Sequence, residues 1–185
     1  TKYRIKNNVT KIMSPTPTEE EKASAGGIVS AVSSSITFDS TDSGFKPHRG
    51  FRSIFEAEYA GIGADFYFFR FGYINSYYTP LWRRGIMKYR CDFRFILPVW
   101  YTSDPNQIPL SERFFLGGEN SVRGYKAFNL GAHYPDTGNP TGGISSTLLS
   151  IEYLQEVFKF LDLFAFADAG SVIMQRMQID TLRLT

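Results

Sequence analysis

The side chains with most to offer chemically lie between Ser111 and Tyr125, where the chain reads Ser-Glu-Arg-Phe-Phe-Leu-Gly-Gly-Glu-Asn-Ser-Val-Arg-Gly-Tyr. The guanidinium of Arg123 can make forked, charge-assisted hydrogen bonds to carboxylates. Gly117, Gly118 and Gly124 permit tight turns and close backbone approach around it. An arginine next to a glycine in a loop is also often just hydrated, and the segment by itself does not choose between pinning and hydration. The acids that could pin it are Glu152 and Asp168, which fall on consecutive candidate strands. Phe166 is two residues before Asp168, hence on the same strand face, and can offer its ring to a cation.

Other chemistries find little support. His48 sits beside a proline turn and His133 lies in a long irregular stretch. Neither has a companion histidine at metal spacing, and no Gly-x-Ser-x-Gly elbow occurs. Asp39 and Asp42 flank a turn and read as turn formers. The single cysteine, Cys91, excludes an intrachain disulfide and a cysteine-rich zinc site. The expectation is no enzyme, no metal and no cofactor. A net charge of +2, with Lys and Arg scattered singly, gives no case for a nucleic-acid partner.

The elements that must position Arg123 and its acids are strands, because the dominant hydrophobic period is two. From Met87 to Leu97 the odd positions are Met87, Tyr89, Cys91, Phe93, Phe95 and Leu97, while the even ones include Lys88, Arg90, Asp92 and Arg94. Such alternation suits a half-buried soluble sheet or a barrel with lipid outside and water inside. The run from Phe66 to Thr79 favours the barrel, since Tyr67 and Tyr77 bracket Phe69 and Phe71 as interfacial girdles bracket an apolar belt. Further strands are expected over Tyr3–Met13, Gly27–Asp39, Phe51–Tyr59, Ile144–Tyr153 and Leu161–Gly170, with another beginning at Thr181. Within these, Arg90, Arg94, Glu56 and Glu58 are expected to solvate a lumen. The stretch 98–143 is too long to be a simple connection and is expected to be functional. Aromatic residues make up 16% of the chain, as suits sheets and membrane interfaces. Mean hydropathy is −0.20. That value does not argue against a barrel, in which only alternate residues face lipid.

Arg113-Phe114-Phe115 before Gly117-Gly118, followed by Val122-Arg123-Gly124-Tyr125, resembles the signature of the BamA superfamily of outer-membrane assembly and secretion barrels. Leu149-Ser150-Ile151-Glu152-Tyr153 resembles that family's strand with an inward Glu. Phe166-Ala167-Asp168-Ala169-Gly170 resembles its Phe-x-Asp-x-Gly strand. Upstream, Thr37-Phe38-Asp39 and Phe45-Lys46-Pro47-His48-Arg49-Gly50 resemble a strand and proline-containing turn of the family. The likeness runs from about Gly27 to Gly170.

The resemblance implies an all-β fold, an antiparallel transmembrane β-barrel. Residues 1–185 would be a fragment of one barrel domain, with about seven or eight of roughly sixteen strands. Residues 98–143 would form a loop folded into the lumen, and the POTRA repeats and terminal strands would be absent. It also implies a loop-locking motif of Val122, Arg123, Gly124, Tyr125, Gly117 and Gly118, held by Glu152, Asp168 and Phe166 on the wall. Facing Asp168 inward also turns Phe164 and Phe166 inward and leaves Leu163, Ala165, Ala167 and Ala169 toward lipid, against simple hydrophobicity; an aspartate in lipid is the costlier choice. The implied activity is insertion and folding of β-barrel proteins into the bacterial outer membrane without ATP. Its partners would be unfolded outer-membrane proteins, the lipid bilayer and, through POTRA domains, accessory periplasmic lipoproteins. A two-partner secretion transporter and a TamA-like barrel share these motifs, and a passive diffusion porin is the competing class.

Overall fold

The computed structural model describes residues 2–9, 26–102, 104–158, 161–174 and 183–184. The strands are β1 (Lys2–Val9), β2 (Gly26–Asp39), β3 (Gly50–Ala60), β4 (Phe68–Pro80), β5 (Gly85–Pro98), β6 (Ser145–Phe158), β7 (Leu161–Ile173) and β8 (Arg183–Leu184). They form one 8-stranded sheet in sequence order, with β1 and β8 at its edges. Every neighbouring pair is antiparallel. The six strands β2 to β7 are 11 to 14 residues long, enough to cross a bilayer core at a tilt. The expected strands lie where the alternation placed them, mostly lengthened by a few residues. Positions 10–13 of the first and 181–182 of the last lie outside the described residues.

Period-two alternation gives the sheet two unlike faces. One face is a ladder of rings joined across strands: Phe38 on Phe51, Phe55 on Tyr73, Tyr59 on Phe69, Phe71 on Phe95 and Tyr77 on Tyr89, with centroids 4.6–6.2 Å apart. Cross-strand aromatic pairs of this kind stabilise a sheet beyond their burial. The other face receives the long connection between β5 and β6. That connection lies against the sheet as irregular backbone, closed on itself by isolated bridges Phe114–Gly143, Leu116–Leu130 and His133–Pro140.

The loop does not rest on water alone. Two dry clusters sit beneath it. One gathers Val29, Ala31, Ala60, Phe68 and Ile96 from β2 to β5 with Ile108 and Ile144 at the loop's two ends. The other gathers Val122 and Leu130 of the loop with Leu148 and Val172 of β6 and β7. The loop-facing side of the sheet therefore carries two apolar patches under the loop among its charged residues.

On the same face Lys46, in the turn after β2, makes a 2.9 Å ion pair with Asp162 at the start of β7. Four strand spacings of ~4.8 Å separate β3 from β7, so this contact needs the turn to reach across the face of a curved sheet. Asp39 and Asp42 organise that turn: Asp39 Oδ1 accepts from the Thr41 N–H at 3.0 Å, and Asp42 Oδ1 from the N–H groups of His48 and Arg49 at 2.8 and 3.3 Å.

Candidate functional site

The tip of the loop is a compact turn that presents Val122 and Arg123 to the sheet. The N–H of Gly117 donates to Ser121 Oγ at 2.7 Å, and that of Gly118 to the Tyr125 carbonyl at 3.0 Å. Gly117 has φ of 110°, and a Cβ there would lie 2.3 Å from the Lys126 carbonyl oxygen, so both its conformation and its surroundings require glycine. Val122 is fully buried among Leu130, Leu148 and Val172, and Tyr125 packs against the same cluster. This apolar seating fixes where the next side chain starts.

Arg123 then turns all three of its guanidinium nitrogens to the wall. Its Nε donates to Asp168 Oδ2 at 2.8 Å and its Nη2 to Asp168 Oδ1 at 2.9 Å, a forked pair. Its Nη1 donates to Glu152 Oε2 at 2.7 Å, and Nη2 also approaches Ser150 Oγ at 3.3 Å. Its backbone N–H donates to Asp168 Oδ2 at 3.0 Å. Ser150 Oγ donates to Asp168 Oδ1 at 2.7 Å. The Phe166 ring lies 3.6 Å from the guanidinium carbon and stacks on Phe164. Phe166 and Asp168 thus face the loop together, and Leu163, Ala165 and Ala167 take the opposite face.

Burial decides which of these contacts matters most. The Asp168 side chain is 0% exposed, whereas those of Arg123 and Glu152 are 21% and 23% exposed. A carboxylate removed from water is tolerated only when paired and hydrogen-bonded, which makes Asp168 dependent on Arg123. In return the hydrogen bond to Asp168, aided by the one to Glu152 and opposed by burial, raises the proton affinity of the guanidinium above its already high value. A raised folded value contributes stability below the unfolded one and loses it only as pH rises through the folded one. Both lie far above neutrality, so alkaline conditions do not release this contact.

Arg113, read in the sequence only as part of the motif, is buried and serves the loop itself. Its Nε donates to the Ile108 carbonyl at 2.9 Å, Nη1 to the Thr141 carbonyl at 3.0 Å and Nη2 to the Asn106 carbonyl at 2.8 Å. One planar fork thereby stitches the ascending arm to the descending arm. Arg113→Lys is expected to leave two carbonyls unsatisfied, at a cost of about 1–3 kcal/mol each. Limited proteolysis should then cut the loop faster while the strands stay protected, and an unchanged cleavage rate would refute the role.

Several charges expected to solvate the lumen are engaged instead. Glu58 accepts from Arg70 Nη1 at 2.8 Å. Arg90 and Arg94 flank Asp92 at 3.4 and 3.0 Å, and Arg90 Nη1 reaches the Asn120 carbonyl at 3.4 Å. His48, His133 and Cys91 are not brought to this site, and among the described residues no cluster of His, Cys, Asp and Glu is arranged to hold a metal ion.

A family model described as the Omp85 superfamily domain matches residues 2–182. The chain belongs to the Omp85 superfamily. One curated Omp85 relative, the outer membrane protein assembly factor BamA of Nitratidesulfovibrio vulgaris, is 30% identical over 140 residues, covering 73% of this chain and 17% of that protein. The chain thus spans about a sixth of that relative's length. Among solved structures, BamA from Haemophilus ducreyi lacking POTRA domains 1–3 superposes with a TM-score of 0.66 at 17% identity, over 80% of this chain and 30% of that one. The antiparallel sheet is a partial Omp85 barrel wall of the BamA type, and the loop tip with Arg123 lies against its charged face.

Proposed function

We propose that this chain is part of an outer-membrane assembly factor that inserts and folds β-barrel proteins, and that its long loop braces the barrel wall from inside. The observation that carries the reading is the Arg123 clamp on Glu152 and Asp168, which ties a loop to two adjacent strands across gaps of 29 and 45 residues in sequence. A passive pore has no evident need for a guanidinium clamped to its own wall by two acids. The brace would hold this side of the barrel rigid while bare strand edges elsewhere in the barrel pair with an incoming strand by β-augmentation. Work of this kind uses hydrogen-bond templating rather than covalent chemistry, and needs neither nucleotide nor cofactor. The substrates would be unfolded outer-membrane proteins, with accessory periplasmic lipoproteins assisting, and the location the outer membrane itself.

The test is insertion in vitro. Full-length protein in lipid vesicles, without nucleotide, should accelerate the conversion of a urea-unfolded β-barrel substrate to its protease-resistant form several-fold over empty vesicles. Export of a polypeptide into the vesicle interior with no acceleration of folding would instead assign the secretion branch of the superfamily. Ion conductance with neither activity would leave a pore.

A further inference from the structure

We propose that Arg70 is a positioning residue that anchors the base of the loop through Glu112, a second attachment independent of the Arg123 clamp and of opposite polarity. At the tip the cation belongs to the loop and the acids to the wall. At the base the cation belongs to β4 and the acid to the loop.

At the base one guanidinium holds two acids. Arg70 Nη2 donates to Glu112 Oε2 and to the Glu112 carbonyl, both at 2.7 Å, and Nη1 donates to Glu58 of β3 at 2.8 Å. The Glu112 side chain is 1% exposed. It lies in the short 3₁₀ turn Leu110–Glu112, just before Arg113 stitches the two arms. The guanidinium lies 5.5 Å from the Phe68 ring centroid and 5.7 Å from that of Phe114. Phe68 is part of the first dry cluster, and Phe114 packs against it. A buried carboxylate is poorly stable once a cationic partner is removed, so loss of Arg70 should loosen Glu112 and the turn that carries it.

The two attachments share no residue. The base stands on β3 and β4 with the cluster that contains Ile108 and Ile144. The tip stands on β6 and β7 with the cluster that contains Val122. Strand β5 lies between them. The loop is therefore a tie across five strands rather than a flap held at one point. Breaking the tip contact frees only the tip, and the arms remain seated.

The inference deepens the brace reading and rests on it for the insertion measurement alone, so the two can fail separately. Spin labels are placed in the full-length protein at Asn106 near the base and Glu119 at the tip, each measured against Ile36 on the ring-bearing face, with Cys91→Ser removing the native thiol. Arg70→Met keeps the packing between the two rings and removes the charge. It is expected to broaden the Asn106 distances and leave the Glu119 distances narrow, while Arg123→Ala does the reverse. Arg70→Met/Glu112→Gln, which neutralises the loop's buried carboxylate, should recover part of the order lost in Arg70→Met. If Arg70→Met does not reach the membrane, the double variant decides: broadened Asn106 distances support the anchor and unchanged ones overturn it. Base and tip loosening together in either variant, or neither responding to Arg70→Met, overturns the proposal. Vesicle insertion should fall several-fold in Arg70→Met. A confirmed base anchor with undiminished insertion would reject the brace reading and leave the anchor standing.

Discussion

Arg123→Ala should destabilise the loop tip by about 3–5 kcal/mol, because it strands Asp168, a carboxylate with no exposed side-chain surface, without its cation. Barrel thermal melting and heat-modifiable electrophoretic mobility are the measurements. Vesicle insertion should drop alongside, since a loss of ~1.4 kcal/mol of productive geometry already amounts to about tenfold in rate. Arg123→Lys retains charge but replaces a planar fork with a point donor, so it should recover only part of the loss. The partners are unequal. Asp168 takes the fork, the Arg123 backbone N–H and the Ser150 hydroxyl, whereas Glu152 takes one 2.7 Å bond and is partly hydrated. Asp168→Asn should therefore cost more than Glu152→Gln. Equal effects, or wild-type melting in Arg123→Ala, would show that the contact forms without bearing on stability.

The second large effect is expected at Gly170, a residue that makes no polar contact with Arg123. A Cβ at this position would stand 2.4 Å from Val122 Cγ2 and 3.3 Å from Leu116 Cδ1. Real side chains do not tolerate the shorter of these, so Val122 must lift and carry Arg123 away from the acids. Overpacking of this kind costs about 1–3 kcal/mol, and the displaced fork adds to it. Gly170→Val should reproduce much of the Arg123→Ala phenotype in melting and insertion. Val122→Ala in a Gly170→Ala background should restore function above Gly170→Ala alone, because it returns the volume the new methyl takes. Absence of any rescue would mean that the tip is not seated through this contact.

The strands were legible in the sequence because alternation is a local signal, and the tip because its motif resembles a family signature. Alternation from Met87 to Leu97 and from Phe66 to Thr79 needs no tertiary knowledge, and the pairing of rings across β3, β4 and β5 follows from register. The structure also brings Arg123, Glu152, Asp168 and Phe166 together, the four residues that the motif likeness groups. What alternation hides is a change of character along a single face. Phe68 and Ile96 share a parity with Arg70 and Arg94, yet they stand in a dry cluster under the loop. Nothing in a period-two pattern says where a distant loop will land. The Arg70–Glu112 pair was hidden likewise, because 42 residues and no recognisable spacing separate two ordinary charges. Arg113 was visible as a letter of the motif, but its partners are backbone carbonyls, which a sequence does not distinguish.

The ladder of rings also sets a hydrophobic thickness. On β3 the outward rings run from Phe51, level with Tyr77 and Tyr89, to Tyr59, level with Phe69. Beyond that level the rings continue to Tyr67, Trp100 and Tyr101. Ten residues of chain from Tyr67 to Tyr77 cover ~34 Å, which a tilt of ~40° reduces to a slab of roughly 26 Å. A hydrocarbon core of ~30 Å exceeds that slab by a few ångström, and the mismatch costs fractions of a kcal/mol for each. Acyl chains beside this wall would shorten slightly to meet it.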